Sequence, residues 1–188
     1  MPRKSEQPII SPSRCEKALV IILMGVTGAG KSTVGTLLAR KLGWKFGDAD
    51  DFHPIGNIEK IRAGVPLDDH DRSPWLAALR NAIEQWNAVG DNVVMACSAL
   101  KRSYRDELRT GSVLFVYLKG SYELILQRLR LRHGHFASDS ILASQFADLE
   151  EPNDAITISV DKSPGAIVSE IIAKLEPLRL AYPDPTKS

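Results

Sequence analysis

The feature that most constrains the fold is a glycine-rich segment near the beginning of the chain. Residues 25–32 read Gly-Val-Thr-Gly-Ala-Gly-Lys-Ser and match the pattern G-x-x-x-x-G-K-[ST] at every fixed position. A β-rich apolar run, Ala18–Met24, precedes the segment, and a helical pattern over Lys31–Leu42 follows it. A strand that turns into a helix directs backbone N–H groups and the positive end of the helix dipole at one point. The segment therefore predicts a phosphate-binding loop (P-loop) in an α/β domain.

The P-loop residues predict how ATP and Mg²⁺ are bound. Lys31 is expected to reach the β- and γ-phosphates as a catalytic point charge, and the Ser32 hydroxyl to ligate Mg²⁺. A glycine-rich turn without a ligand is the alternative, which the agreement between the motif and its flanking pattern disfavours. The predicted nucleotide-binding residues are Gly25, Val26, Thr27, Gly28, Ala29, Gly30, Lys31, Ser32 and Thr33.

The rest of the chain alternates β-rich runs with amphipathic segments, which predicts a parallel sheet covered by helices. In one segment, Trp75, Leu79, Ile83 and Trp86 recur at helical spacing and are expected in the core. The expected strands are Ala18–Met24, Trp44–Asp48, Asn92–Cys97, Val113–Lys119 and Ala155–Val160. The expected helices are Lys31–Leu42, Ser73–Val89, Lys101–Arg109, Ser121–Arg132, Ser138 or Asp139 to Leu149, and Ser163 to about Leu175.

Composition limits the classes of function. The 188 residues fit a single domain over 18–188, preceded by a polar segment, 1–17, that we expect to be flexible. Lys and Arg number 24 against 23 for Asp and Glu, so no overall charge would attract the chain to nucleic acid or a membrane. The 2 cysteines imply no disulfide framework, and no apolar stretch is long enough to cross a bilayer. We therefore expect a cytoplasmic protein that binds any anionic ligand locally.

An acidic cluster, residues 48–54, follows the second expected strand. In a parallel sheet, ligands lie beyond the carboxyl ends of the strands, so the first and second strands can serve one site. Asp48 and Asp50, two residues apart in an extended chain, are expected to point the same way. We assign Asp48 to Mg²⁺ through a water molecule, and Asp50 to the attacking hydroxyl of the substrate. A solvated acidic turn is the alternative.

Other classes of P-loop protein fit less well. The chain has no Asn-Lys-x-Asp motif for reading guanine, which disfavours a GTPase. The third expected strand ends in Cys97-Ser98 rather than in an acidic residue, and the chain is short for a motor protein. A small-molecule kinase is the remaining interpretation.

Four blocks of sequence resemble the gluconokinase family. They are Gly25–Ser32, Gly47–Pro54, Pro66–Leu76 and Ala96–Asp106, and the later segments Gly134–Phe136 and Gln145–Glu150 are similar too. The match spans about Leu19–Leu175, and the order and spacing of the blocks are specific. The resemblance implies phosphorylation of D-gluconate at its 6-hydroxyl by ATP, and a homodimer. It also implies a nucleoside-monophosphate-kinase-like fold, related to shikimate kinase, with a helical lid and the parallel strand order 2-3-1-4-5.

A sugar acid requires cations for its carboxylate and hydrogen-bonding groups for its hydroxyls. Arg72 and Arg105 are favoured for the carboxylate, because arginine binds carboxylates in a bidentate way. A solvated basic helix face over 101–109 is the alternative for the cations there, and turn or capping roles are the alternative for Ser98 and His53. The predicted substrate-binding residues are Asp50, His53, Arg72, Ser98, Lys101, Arg102 and Arg105.

Basic residues between the fourth and fifth strands predict the lid, over about 128–150. Phosphoryl transfer depends on neutralising the phosphate charge and excluding water. Arg128 and Arg132 share a helix face at i, i+4 and are expected to act on the phosphates. The alternative is a basic helix C-terminus stabilised by the helix dipole.

The sequence leaves two other functions open. One is another small-metabolite or nucleotide kinase of the same fold, such as shikimate kinase. Cys97-Ser98-Ala99 stands where a shikimate kinase is expected to carry glycines, which disfavours that reading. The other is a switch or scaffold that binds ATP without transferring phosphate, which the presence of Lys31, Ser32, Asp48 and Asp50 disfavours.

Overall fold

A five-stranded parallel sheet forms the centre of the molecule. The computed structural model describes residues 18–63, 65–133 and 137–179. The strands are β1 (Val20–Met24), β2 (Lys45–Asp48), β3 (Val93–Ala96), β4 (Val113–Lys119) and β5 (Ile156–Ser159). They lie in the order β2-β3-β1-β4-β5, and every neighbouring pair is parallel. Each predicted strand is found within two residues of its predicted bounds, and the predicted order is confirmed.

Helices cover the sheet, and most match the predicted segments. They are α1 (Lys31–Leu42), α2 (Ile55–Arg62), α3 (Asp69–Val89), α4 (Arg102–Leu108), α5 (Tyr122–His133), α6 (Ala137–Asp148) and α7 (Pro164–Arg179). The helix α3 begins at Asp69, earlier than the predicted Ser73, because Asp68 and Asp71 form a reciprocal capping box. That cap satisfies two backbone N–H groups at the helix start, which extends the helix toward its N-terminus.

The sequence did not predict α2 or the 3₁₀ turn Ala49–Phe52 that precedes it. The only buried residue of α2 is Asn57, which is polar, so the helix has no apolar stripe that a periodicity could show. In the 3₁₀ turn, the Asp48 side chain accepts a hydrogen bond from the Asp50 backbone N–H. This local cap ends β2 and turns the acidic cluster back over the sheet.

Two apolar clusters, one on each face of the sheet, make the three-layer core. On one face, Ile21 and Leu23 of β1 pack in a cluster that includes Leu38 of α1 and Ile171 of α7. On the other face, Ile22 belongs to a second cluster, which contains the predicted core residues Trp75, Leu79 and Ile83. The predicted core residue Trp86 is only partly buried and packs at the edge of this second cluster.

All five residues of β1 are buried, as expected for a central strand covered on both faces. Each large apolar side chain buried in this way contributes about 1.5–3 kcal/mol. No helix in the described ranges is both long and apolar enough to span a bilayer.

Candidate active site

The P-loop has a backbone path that requires glycine. Gly28 has φ of 77°, and a Cβ atom there would lie 2.9 Å from Leu129 Cγ. Gly25 has φ of 142°, and a Cβ atom there would lie 2.9 Å from the carbonyl oxygen of Leu118. A side chain at either position would therefore meet both backbone strain and a neighbouring atom. These glycines let the chain leave β1 and enter α1 with its N–H groups around one cradle.

Lys31 lies inside this loop rather than in solvent. Its Nζ donates a hydrogen bond to the backbone carbonyl of Val26 over 3.0 Å. Burial lowers the pKa of Lys31, while the nearby Asp50 and Asp48 carboxylates act in the opposite direction. The ammonium group is thus held at the P-loop with carboxylates close by.

Ser32 and Asp48 meet at the carboxyl edge of the sheet. Ser32 Oγ donates to Asp48 Oδ2 over 2.8 Å, and Asp48 Oδ1 accepts from the Asp50 backbone N–H over 3.2 Å. A hydroxyl and a carboxylate oxygen are ligands that hard divalent cations prefer, so this pair fits such a cation. The described residues contain no cluster of three or more His, Cys, Asp or Glu side chains that could hold a metal. A cation here would therefore depend on phosphate oxygens and water for its remaining ligands.

Asp50 lies in the 3₁₀ turn and lines the same cavity as Asp48. The extended geometry expected for the two residues is wrong, because the turn begins at Ala49, but the two side chains still face one space. Burial raises the pKa of Asp50, and the neighbouring Asp48 carboxylate raises it further. A carboxylate with a raised pKa accepts a proton more readily than an ordinary aspartate does.

Arg72 of α3 is the predicted cation that reaches the cavity wall. Its Nη1 donates to the Tyr104 hydroxyl over 3.1 Å, and that hydroxyl donates in turn to Asp69 Oδ1. Lys101 Nζ also bonds Asp69, over 2.7 Å, but Lys101 is not among the residues that line the cavity. Tyr104 and Asp69 were not predicted individually. The only signal for them is that both fall inside the blocks that resemble gluconokinase.

Arg105 does not have the predicted role of binding the substrate carboxylate. The residue is only 3% exposed, and Nη1 donates to the carbonyl oxygens of Ala99 and Leu100 over 3.0 and 2.8 Å. Ala99 carries the unusual φ of 44°, so the arginine secures a loop whose backbone is in the left-handed region. Arg105 does not line the cavity, and the structure gives it the role of supporting the loop that contains Ser98.

The remaining predicted substrate residues divide into two groups. Ser98 and His53 line the cavity, and the Ser98 carbonyl also accepts a hydrogen bond from the Gly25 N–H over 3.2 Å. The side chain of Arg102 is 79% exposed, and its closest anionic partner is Asp106, at 3.7 Å. The structure therefore does not bring Arg102 to the cavity, because its position on α4 faces solvent.

Some of the predicted lid residues lie outside the part of the chain that the structure describes. The side chain of Arg132 and the segment 134–136 fall outside the described residues. Arg128 donates to the backbone carbonyl of Val160, at the end of β5, and does not line the cavity. The structure thus places Arg128 as a link between α5 and the sheet.

Helix α6 of the predicted lid contacts the P-loop directly. Gln145 Oε1 accepts a hydrogen bond from the Thr27 N–H over 2.6 Å, and both residues line the cavity. Two residues beyond the end of α6, the Glu150 carboxylate accepts from the Arg102 N–H, at the start of α4, over 2.5 Å. The role of Gln145 was missed, because its partner is 118 residues away in the chain. The helix therefore contacts the P-loop, and the segment that follows it contacts the loop after β3 through Leu100 and the start of α4 through Arg102.

These residues enclose one cavity of about 560 Å³ between the P-loop, the 3₁₀ turn, α3 and α6. The P-loop side offers backbone N–H groups, Lys31 and the Ser32–Asp48 pair. The opposite side offers Arg72, His53 and a carboxylate, Asp50. The arrangement can hold a polyphosphate next to a polar acceptor and remove a proton from that acceptor.

The chain is similar along most of its length to proteins named gluconokinase. A family model described as shikimate kinase matches residues 27–176. The probable gluconokinase of Xenopus tropicalis is 46% identical over 178 residues, which cover 84% of this chain and 94% of that protein. The gluconokinase of Gluconobacter oxydans (strain 621H) is 43% identical over 161 residues, which cover 83% of this chain and 90% of that protein.

Solved structures agree with the sequence comparison. The crystal structure of a gluconokinase from Sinorhizobium meliloti 1021 is similar with a TM-score of 0.77 and 41% identity, covering 88% of this chain and 94% of that one. The shikimate kinase of Aquifex aeolicus vf5 has a TM-score of 0.55 and 22% identity, covering 86% of this chain and 99% of that one, and shares the fold.

Proposed function

Since the chain belongs to the gluconokinases, within the family that the shikimate kinase model describes, we propose that it phosphorylates D-gluconate at the 6-hydroxyl with ATP. The observation that carries the proposal is that Lys31 of the P-loop, Asp50 and Arg72 line the same cavity. A phosphate donor site and a site for a hydroxylated anion are thus adjacent. The products are 6-phosphogluconate and ADP.

In this proposal Asp50 serves as the proton acceptor. The 6-hydroxyl oxygen forms a bond to the γ-phosphorus, the bond from that phosphorus to the β-phosphate oxygen breaks, and the hydroxyl proton passes to the Asp50 carboxylate. Lys31 would exchange the Val26 carbonyl for phosphate oxygens and stabilise their charge. The raised pKa of Asp50, caused mainly by its burial, suits this residue to take the proton.

Ser32 and Asp48 are proposed to hold Mg²⁺, with Asp48 acting through a water molecule. Their 2.8 Å hydrogen bond brings both oxygens to the phosphate end of the cavity. Kinases of this fold use a divalent cation, which when bound neutralises phosphate charge and aligns the oxygens for in-line transfer.

On the acceptor side, Arg72 is proposed to bind the gluconate carboxylate, with Asp69 and Tyr104 fixing its guanidinium group. His53 and Ser98 are proposed to bind hydroxyls along the chain of the sugar acid. Lys101 is proposed to add positive charge behind Arg72, through their common partner Asp69.

Cys97 is the one cavity residue with a potentially nucleophilic thiol, and it does not suit a covalent mechanism. It is only 2% exposed, and burial raises the pKa of its thiol to about 12. The thiol is therefore neutral near pH 7 and a poor nucleophile. This supports direct transfer from ATP to the acceptor.

A coupled assay of ADP release tests the proposal. Purified protein is supplied with Mg-ATP and, separately, with gluconate, shikimate, other sugar acids and nucleoside monophosphates. We expect turnover with gluconate far above the others, and loss of that turnover when EDTA removes the divalent cation. Turnover with shikimate or a nucleotide instead of gluconate would contradict the proposed substrate, and ATP binding without turnover would contradict a kinase.

Three further properties stay predictions: the single domain over 18–188, the cytoplasmic location and the homodimer. Size-exclusion chromatography with light scattering tests the homodimer.

A further inference from the structure

Asn57 is a buried polar residue in α2 that the mechanism above does not use. It is 6% exposed, and with Arg105 it makes up the buried polar and charged residues of the described chain. A buried amide is costly unless its hydrogen-bonding groups are paired. Its side chain lies next to His53, which lines the cavity.

The orientation of the Asn57 amide is fixed by its backbone partner. Asn57 Nδ2 lies 2.7 Å from the carbonyl oxygen of Asp71. A carbonyl oxygen only accepts hydrogen bonds, so the amide atom facing it must be the NH₂ nitrogen rather than the oxygen. This nitrogen has a second hydrogen to donate.

That second hydrogen constrains which ring nitrogen of His53 carries the proton. Asn57 Nδ2 lies 3.4 Å from His53 Nδ1. Because the amide nitrogen can only donate, Nδ1 must present a lone pair to it. In a neutral imidazole whose Nδ1 accepts a hydrogen bond, the proton is on Nε2.

The ring of His53 is also held in one plane. It stacks on the Trp75 ring with a centroid separation of 4.8 Å and an interplanar angle of 10°. Trp75 is itself anchored, because its Nε1 donates to the Ala49 carbonyl over 2.8 Å. The stacking therefore keeps the ring in the plane in which Nδ1 lies next to Asn57 Nδ2.

The electrostatic surroundings favour a neutral ring. Burial is the main cause that lowers the pKa of His53, and the Arg72 guanidinium lowers it too, while the Asp50 carboxylate opposes them. A neutral histidine is required for one nitrogen to accept while the other donates.

We propose that Asn57 is a positioning residue that holds His53 as the Nε2–H tautomer, so that the ring offers the substrate a hydrogen-bond donor and not a base. The donor would bind an oxygen of the polyol acid, and Asp50 would remain the residue that accepts the proton. The choice of ligand rests on the proposed function, whereas the tautomer rests on the surroundings of His53 and does not depend on that function.

A spectrum of the unmodified protein tests the tautomer first. Two-bond ¹H–¹⁵N correlation of ¹⁵N-labelled protein at neutral pH distinguishes protonated from unprotonated ring nitrogens. The His53 signals are assigned as those that disappear in His53→Gln. We expect His53 to be protonated at Nε2 only. Protonation at Nδ1 only, or at both nitrogens, would overturn the proposal.

Variants of Asn57 test whether this residue sets the tautomer. In Asn57→Asp the carboxylate would accept a hydrogen bond from a protonated Nδ1, so the spectrum of the folded variant should change to that of the Nδ1–H form. If Asn57→Asp does not fold, Asn57→Ala replaces it, and loss of the donor should give a mixture of both neutral tautomers. A wild-type His53 spectrum in the folded variant would refute the role of Asn57.

Kinetics test the hydrogen bond to the substrate. Glutamine at 53 can place an N–H near the position of Nε2, whereas phenylalanine keeps the stacking on Trp75 and loses the donor. We expect the KM for gluconate to stay within about 3-fold in His53→Gln and to rise about 10-fold in His53→Phe, with kcat changing less. Equal KM values in the two variants would contradict the donor role. If the wild-type protein does not turn over gluconate, the proposed function fails, while the spectra still decide the tautomer.

Discussion

The two sides of the cavity are built in different ways. The phosphate side comes from one continuous segment, in which glycine backbone angles and the neighbouring Lys31 and Ser32 make the site. The acceptor side comes from side chains that are held by other side chains, such as Arg72 by Tyr104, 32 residues away. The comparison indicates that a local motif can fix a phosphate site, whereas recognition of a particular acceptor depends on tertiary contacts. Changes on the first side, and at the proposed base Asp50, should therefore affect chemistry, and changes at the other residues of the second side should affect substrate affinity and stability.

Lys31→Ala gives the largest expected effect on the phosphate side. Removing the ammonium group leaves the developing phosphate charge without its main cation, so kcat/KM with Mg-ATP should fall by about 10³-fold or more. The measurement is the coupled ADP assay, with circular dichroism to check folding. The matched control is Lys41→Ala, an exposed lysine at the end of α1, which should be close to wild type. Full activity of Lys31→Ala would contradict the assigned site.

Asp50→Asn tests whether the turn after β2 belongs to the chemistry. Asparagine keeps the size and a hydrogen-bond acceptor but cannot take a proton, so kcat should fall by about 10²- to 10³-fold with a smaller change in KM for gluconate. Asp51→Asn, at the neighbouring exposed position outside the cavity lining, is the control. An Asp50→Asn enzyme with wild-type kcat would remove Asp50 from the role of base.

Arg105→Met tests the support of the loop after β3. Methionine leaves the Ala99 carbonyl without the buried Arg105 donor, while the Leu100 carbonyl keeps the hydrogen bond from the Glu150 N–H. The free energy of unfolding should therefore fall by about 1–3 kcal/mol. Urea denaturation measures this value. Arg80→Met is the control, because Arg80 is exposed and forms an ion pair with Glu84 within α3. Equal stability losses in the two variants would show that the buried contacts of Arg105 are not important.

Tyr104→Phe removes the hydroxyl that joins Arg72 to Asp69. Without it, Arg72 loses a fixed orientation, and binding of gluconate should weaken by about 1–2 kcal/mol, seen as a rise in KM with little change in kcat. Tyr122→Phe, on α5 outside the cavity lining, is the control and should leave KM unchanged. An unchanged KM in Tyr104→Phe would show that the Tyr104 hydroxyl does not contribute to gluconate binding through Arg72.

Ala99→Gly should give the smallest effect. Glycine relieves the strain of the 44° φ angle, but it increases the freedom of the unfolded chain and removes a fully buried methyl group. These effects oppose each other, so stability should change by less than about 0.5 kcal/mol. The control is Ala77→Gly, in the exposed interior of α3, which should destabilise by about 1 kcal/mol. Thermal unfolding of both variants measures the difference. Destabilisation by Ala99→Gly as large as that by Ala77→Gly would contradict the strain at Ala99.

The elements with a regular apolar period were predicted well from the sequence. All five strands were found near their predicted bounds, and α1 was found with the predicted bounds Lys31–Leu42. The helix α2 was missed because its buried residue is the polar Asn57 rather than an apolar side chain. The turn after β2 was missed because it is closed by a side-chain cap from Asp48, which mimics no periodic pattern.

The basic helix α4 shows how a charged residue misleads the interpretation. Arg105 was expected to face the substrate, yet the buried face of this helix consists of Tyr104, Arg105 and Leu108. The spacing of Tyr104 and Leu108 at i, i+4 does indicate a buried face, and Arg105 lies on its border. Its charge alone suggested a ligand, whereas the Ala99 and Leu100 carbonyls of the adjacent loop accept the hydrogen bonds of the guanidinium group.

The sequence by itself determined the P-loop, the alternation of strands and helices, and the position of the acidic cluster after β2. These follow from local backbone preferences and from apolar periods, which are properties of short segments. Only the tertiary structure decided which side chains support the acceptor side. Tyr104 meets Arg72, Asn57 meets the Asp71 carbonyl, and Gln145 meets the Thr27 N–H across 118 residues of chain. Such contacts depend on how separate elements pack, because a local pattern does not specify which distant group a polar side chain will reach.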